Sequence, residues 1–240
     1  MLLRLRFPQV QPRTSPQKET DFLSYGPEVT MRVPVAIVDY EAGNLTSVLN
    51  AIQYLGLQAV VTKDPKVIAH ADRVIFPGVG AARASMNVLL ASGLGKAVQD
   101  AVTARKPVLG ICIGCQIILE HSEEDGGVDC LGIIKGKALK FHSEPGLKIP
   151  HMGWNQVEFA FPHPIFKGVE DASEFYFVHS YHPVLSNPVE AAAYTTYGKQ
   201  RFASALYRDT LVATQFHLEK SGDVGLELLK NFCKWNGELC

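Results

Sequence analysis

The stretch Gly110-Ile111-Cys112-Ile113-Gly114 constrains this chain more than any other. The apolar run Val108, Leu109 and Ile111 after Pro107 reads as a short strand buried on both faces. Past Gly114 the pattern turns helical, with Ile117 and Ile118 apolar and Glu120 and His121 polar. A strand that passes into a helix between two glycines puts Cys112 at the apex of a tight turn. Small neighbours let a non-glycine residue hold a strained backbone there. The helix start behind it offers the positive end of a dipole to the sulfur. On this stretch alone, a nucleophilic cysteine and a buried structural cysteine are both open readings.

The order of elements around this turn is alternating. Val35–Asp39 reads as a buried strand, followed by the loop Tyr40–Gly43, with Asn44 as a helix N-cap. Leu45, Val48, Leu49, Ile52 and Leu55 recur at helical spacing until Gly56. Ala59–Val61 is a second strand, Pro65–His70 a short helix after Asp64, and Val74–Phe76 a third strand ending in Pro77-Gly78-Val79-Gly80. Helical stretches around 85–90 and 94–103 precede the strand of the cysteine turn. Such alternation predicts a doubly wound, mostly parallel α/β sheet, whose ligand crevice lies at the carboxyl ends of the strands. Gly78–Gly80 and Cys112 both fall there.

Beyond Ser122 the texture changes to short strand-like runs at 137–141, 156–159, 175–178, 191–196 and 211–216, separated by Gly, Pro and Asn. They predict an antiparallel extension of the same domain, closed by a helix over 221–235. Residues 1–30 are rich in proline and polar residues with little periodicity, and are expected to form a disordered or non-native extension. Residues 31–240 are expected to form one domain.

Composition excludes several classes. The chain has 240 residues, 47% hydrophobic and 20% charged, with 23 basic against 24 acidic side chains. No basic footprint for nucleic acid or anionic membrane exists, and no apolar run approaches the roughly 20 residues of a membrane span. Five cysteines without framework spacing suggest a reducing, cytoplasmic setting.

A thiol nucleophile needs a base, and that base an orienting acid. His217 ends the run 211–216, and in an extended strand Glu219 projects to the same side. Cys112, His217 and Glu219 then form a candidate triad of the Cys-His-acid type. The other reading of His217 is a strand-end histidine with an incidental acidic neighbour. His142, His151 and His163 flank loops and are expected to be solvated, whereas His179 and His182 bracket Tyr181 in a polar cluster. Cys112-Ile113-Gly114-Cys115 also fits a C-x-x-C redox pair at a helix start, but that leaves Gly78–Gly80 and His217/Glu219 unused.

Gly110-Ile111-Cys112-Ile113-Gly114-Cys115-Gln116, with Pro77-Gly78-Val79-Gly80 before it and His217-Leu218-Glu219-Lys220 after it, resembles the class I (triad) glutamine amidotransferases. Three further stretches carry a narrower likeness: 37–45 around Asp39-Tyr40 and Gly43-Asn44-Leu45, Pro150-His151-Met152-Gly153-Trp154-Asn155, and Phe177-Val178-His179-Ser180-Tyr181. They look like the glutaminase subunit of imidazole glycerol phosphate synthase, an enzyme of histidine biosynthesis. The likeness covers about residues 33–235. Leu218 stands where the family usually has Pro, Cys115 where it often has Met, and Ala42 where Gly or Pro is common.

This resemblance implies a flavodoxin-like fold and a mechanism. Cys112 attacks the amide of glutamine, His217 protonates the departing ammonia, and Glu219 orients the imidazole. Gly78, Val79, Gly80 and the amide of Ile113 supply the oxyanion hole, the glycines letting the backbone approach substrate and reorient. Gln116, Glu124, His179, Ser180 and Tyr181 hold the amino-acid end of glutamine. The ammonia passes to a (β/α)8-barrel cyclase in a heterodimer, with Asn44, Trp154, Tyr176 and Lys220 at the interface. No metal or organic cofactor is indicated. The alternative within the fold is a glutaminase of another amidotransferase, such as that of pyridoxal phosphate synthesis.

Overall fold

The computed structural model of the chain describes residues 33–239, so the expectation for residues 1–30 and the start of the domain lie outside the described residues. The first half runs β1 (Val33–Val38), α1 (Leu45–Tyr54), β2 (Val60–Thr62), α2 (Pro65–His70), β3 (Ala71–Gly78), α3 (Ala82–Ser92), α4 (Leu94–Thr103), β4 (Val108–Cys112) and α5 (Ile113–Ile117). Local signals set these boundaries. Asp64 accepts from the Lys66 amide at 2.8 Å with Pro65 at the first helical position. Gly56, at φ +72°, ends α1 with its amide on Gln53 O.

The second half holds the short strands β5 (His121–Ser122), β6 (Val128–Asp129), β7 (Gly136–Lys140), β8 (His151–Gln156) and β9 (Glu158–Phe159). After them come β10 (Glu174–His179), β11 (Tyr181–Leu185), β12 (Ala191–Tyr197), β13 (Gln200–Arg208), β14 (Leu211–Thr214) and the closing helix α6 (Gly222–Lys234).

The main sheet has eight strands in the order β2-β1-β3-β4-β14-β13-β12-β9. Pairings from β2 through β14 are parallel and those from β14 to β9 antiparallel, a mostly parallel half with an antiparallel extension as expected, except that β14, expected within the extension, pairs parallel with β4 at the centre of the sheet. Two small sheets sit beside it, an antiparallel pair of β8 with β10, and a mixed sheet of β11, β7, β5 and β6. In the second of these, β5 runs parallel to β7.

Strand periodicity divides the core. Ala36, Val38, Val74 and Phe76 face one cluster with Leu89, Val98 and Ile117, while Val35, Ile37, Ile75 and Leu109 face another with Ile52, Phe177 and Phe232. Each such large apolar side chain contributes about 1.5–3 kcal/mol on burial. Among the described residues no helix is long and apolar enough to cross a membrane.

Five strands fall outside the sequence expectation: the two-residue β5 and β6, β8, β11 and the nine-residue β13. The helix after Cys112 is also shorter than expected, ending at Ile117. In β13 the residues Ala203, Ser204 and Ala205 have little strand preference of their own, but the strand lies buried between β12 and β14. The fourteenth strand stops at Thr214, short of Phe216. His151 and His163 are buried rather than solvated, each 2% exposed, because aromatic side chains close over them.

Candidate active site

Cys112 sits where β4 becomes α5, at φ +55°, ψ −105°, a strained conformation for a residue with a Cβ. Its glycine neighbours are dictated by space. A Cβ on Gly114 would lie 2.0 Å from Phe76 O, and one on Gly110 3.0 Å from the Ala213 Cβ. The Cys112 sulfur reaches Val178 O at 4.0 Å, and Gln215 Nε2 donates to it at 3.9 Å.

The ladder between β3 and β4 sets Gly78 opposite Cys112, which brings the 78–80 loop to the thiol. Val79, Gly80, Cys112 and Ile113 line a cleft of about 280 Å³, together with Gln116, Glu124, His179, Ser180 and Tyr181. A wider groove of about 370 Å³ between α2 and α4 carries no cysteine or histidine.

His217 is fully buried, and its Nδ1 meets Glu219 Oε1 at 2.7 Å. The contact arises differently from the strand alternation expected, because Leu218–Lys220 forms a 3-10 turn that curls Glu219 back onto the ring. The turn is held without proline. Leu218 is fully buried, Ser221 Oγ donates to His217 O, the Tyr176 amide donates to Ser221 Oγ, and the His217 amide donates to Tyr176 O.

His217 Nε2 is buried without a hydrogen-bond partner, and the Cys112 sulfur lies near enough to act on the ring. Burial pulls the imidazolium down, but Cys112 and Glu219 outweigh it and the pKa is pushed up to about 10. For Glu219, burial raises the carboxyl, and the hydrogen bonds and charge of His217, with Asn44, bring it below its ordinary value.

Asn44 departs from its expected role. It occupies the position before α1 at φ +63° but makes no side-chain cap. Its Nδ2 instead donates to Glu219 Oε1 at 2.5 Å and approaches His217 Nδ1 at 3.5 Å.

The 78–80 loop, expected to supply the oxyanion hole, also departs in detail. Gly78 is not at positive φ; a Cβ there would collide with Tyr40 Oη, Ile113 and Ala42. Gly80, at φ +113° with open space around it, is the conformational glycine. The Val79 amide donates to Ala42 O at 2.6 Å and is thus committed away from the cleft.

The other expected residues are placed as follows. Gln116 is buried and donates to Tyr181 O and Gln215 Oε1 at 2.8 and 3.0 Å. Glu124 Oε2 accepts from the Ala82 amide at the start of α3, at 2.7 Å. His179 belongs to a relay that sequence reasoning missed. Its Nδ1 donates to Tyr181 O at 2.8 Å, which leaves Nε2 to accept from His151 Nδ1 at 3.0 Å, while His151 Nε2 accepts from Asn155 at 3.2 Å. Burial lowers His151 to about 4 and holds His179 well below its ordinary value, so both rings are neutral. Trp154 is exposed and packs edge-on against Tyr176 with 6.2 Å between centroids, and Lys220 Nζ lies 6.0 Å from the Tyr176 ring centroid. Met152, 63% exposed, extends this patch along β8. Cys115 is fully buried, and burial, then Cys112, hold its thiol well above the ordinary range, so it is a poor partner for thiol exchange.

Residues 36–235 match the family described as Glutamine amidotransferase class-I. The chain belongs to the class-I glutamine amidotransferase family. Within it, the imidazole glycerol phosphate synthase subunit HisH of Acinetobacter baylyi is 48% identical over 203 residues, covering 84% of this chain and 98% of that one. The protein of the same name from Nitratidesulfovibrio vulgaris is 49% identical over 206 residues, covering 82% and 95%. Among solved structures, PurLQS from Thermotoga maritima shares the amidotransferase fold with a TM-score of 0.66 at 15% identity, covering 85% of this chain and 99% of that one.

Proposed function

We infer that this chain is the glutaminase subunit of an imidazole glycerol phosphate synthase, hydrolysing glutamine to glutamate and ammonia for histidine biosynthesis. The carrying observation is His217, hydrogen-bonded to Glu219 at 2.7 Å, with its other nitrogen free beside a cysteine on a strained strand-to-helix turn. Relatives at 48% and 49% identity over more than four-fifths of the chain support the same reading.

In this reading the Cys112 sulfur attacks the side-chain carbonyl carbon of glutamine, and the C–N bond breaks as His217 gives its proton to the departing ammonia. The γ-glutamyl thioester left on Cys112 is cleaved by water, whose proton returns to His217, releasing glutamate. A His217 with a pKa of about 10 is protonated at neutral pH and ready to act as the acid. Gln116 has both amide hydrogens engaged, so it presents an acceptor, and Glu124 has a second oxygen beyond the one on Ala82. Two acceptors at the cleft suit the ammonium end of glutamine.

The tetrahedral oxyanion needs backbone donors, and the amides of Val79 and Ile113 are the candidates. With Val79 bonded to Ala42 O, the hole lacks one donor at rest. The subunit is therefore nearly idle alone, and is activated when a partner favours the turned loop. The partner is a (β/α)8-barrel cyclase that takes the ammonia before water protonates it, in a heterodimer located in the cytoplasm. Trp154, Tyr176, Lys220 and the exposed Met152 suit that contact, beside the His217 turn.

Cys112→Ala in the purified complex is expected to abolish glutamine-dependent synthesis while leaving synthesis from free ammonium intact. Retained glutamine-dependent turnover would remove Cys112 from the nucleophile's role.

A further inference from the structure

The loop that must supply the Val79 amide has, on the side away from the cleft, a buried hydroxyl with nothing to do. Tyr40, at the end of β1, is 1% exposed, and its ring packs on Phe76 with 4.8 Å between centroids. Its Oη makes no hydrogen bond among the described residues. The hydroxyl lies over Gly78, since a Cβ built there would come within 2.2 Å of it. A buried, unpaired hydroxyl is unfavourable, and each one in a native structure calls for a physical reason. A partner that it gains in another state of the loop would supply one.

Peptide geometry identifies that state. The Gly78–Val79 peptide is planar and trans, so with the Val79 N–H directed to Ala42 O the Gly78 carbonyl points the opposite way. Turning the peptide to aim the N–H at an oxyanion on Cys112 swings the Gly78 carbonyl toward the Tyr40–Ala42 segment. There it meets the carbonyl of Ala42, which has just lost its own donor. Two facing acceptors in a buried site oppose the turn unless a donor stands between them.

We propose that Tyr40 is the positioning residue of the oxyanion loop, its hydroxyl donating to the Gly78 carbonyl when the Gly78–Val79 peptide turns over. This rests on the glutaminase reading above. Tyr40 does not line the cleft, so it acts through the loop and not on glutamine. Burial, then Cys112, hold the phenol well above its ordinary range, so it remains a donor throughout the working pH range. The same contact explains glycine at position 78, since any side chain there would occupy the hydroxyl's place.

The test is Tyr40→Phe in the full chain, assayed as glutamate production by the complex with the barrel cyclase and its phosphorylated aminoimidazole substrate. Losing one neutral hydrogen bond from the turned state is expected to lower stimulated kcat about tenfold. The KM for glutamine should be unchanged, and the melting temperature equal to or above that of the unaltered protein, because an unpaired buried hydroxyl has been removed. A purely structural tyrosine would lower the melting temperature together with activity, and that result would overturn the proposal. Unchanged stimulated kcat would overturn it as well. If the unaltered complex itself shows no stimulated glutaminase activity, the underlying functional reading fails instead, so the two failures are distinguishable.

Discussion

Asn44 and Glu219, 175 positions apart in the chain, are joined by a hydrogen bond of 2.5 Å, so the residue that opens α1 holds the carboxylate that holds His217. Glu219 Oε1 accepts from both neighbours, while its Oε2 is buried without a partner. The orientation of the imidazole therefore depends on a loop at the other end of the domain's sequence.

Asn44→Ala is expected to reduce stimulated kcat about tenfold or more, since a hydrogen bond to a charged group contributes about 1.5–3 kcal/mol. Steady-state glutamate production by the complex checks this. Activity within twofold of the unaltered protein would show that the Glu219 turn is held by Leu218 and Ser221 alone.

Gly114→Ala should fail by a different route. The added methyl would meet the Phe76 carbonyl, which is backbone and cannot rotate aside. We expect a loss of about 1–3 kcal/mol or more in chemical denaturation, as for overpacked cores, together with loss of glutaminase activity. Gly80→Ala meets no atom within 4 Å and should show only the cost of its positive φ.

Cys115→Ala keeps the proposed nucleophile and removes the second thiol of the C-x-x-C pair. Glutamine-dependent turnover is expected to persist, with some stability lost from the core. Loss of turnover in a folded Cys115→Ala protein would restore the redox alternative.

Much of this site was legible because its signals are short-range. The turn at Cys112 is written in five consecutive residues, and His217 and Glu219 are two apart. Their contact was foreseen from strand alternation, although a 3-10 turn makes it. The links between Tyr40 and Gly78, Val79 and Ala42, and Asn44 and Glu219 were not legible, because they join loops that only the sheet order brings together. The burial of His151 and His163 was missed for the same reason. A histidine in a loop carries no local sign of the aromatic residues that will close over it. Ala203-Ser204-Ala205 in β13 shows the converse, a strand that exists because its neighbours require it.

Those buried histidines predict a pH dependence of stability. Burial lowers His151 and His163 to about 4, against about 6.5 unfolded. Their folded pKa values are depressed, so the unfolded chain binds more protons between these limits. The stability they contribute is present above about pH 6.5 and is lost as pH falls toward 4, on the order of 3 kcal/mol for each. Urea midpoints at pH 7, 5.5 and 4.5 should fall in that order. His163→Asn, which can still accept from the Ile165 amide, should flatten the slope. An unchanged slope would mean that His163 is not buried neutral.

In the proposed mechanism a Cys112-His217-Glu219 glutaminase waits with Val79 turned away until its partner acts. The most direct measurement is steady-state glutamate production by this chain alone, by its complex with the barrel cyclase, and by the complex with the cyclase's nucleotide substrate. One well-aimed oxyanion donor contributes roughly 10²–10³-fold in rate, so a rise of at least that size is expected between the first condition and the third. Equal rates in all three would rule out gating by Val79, and would mark the chain as a stand-alone hydrolase with a permanently formed oxyanion hole.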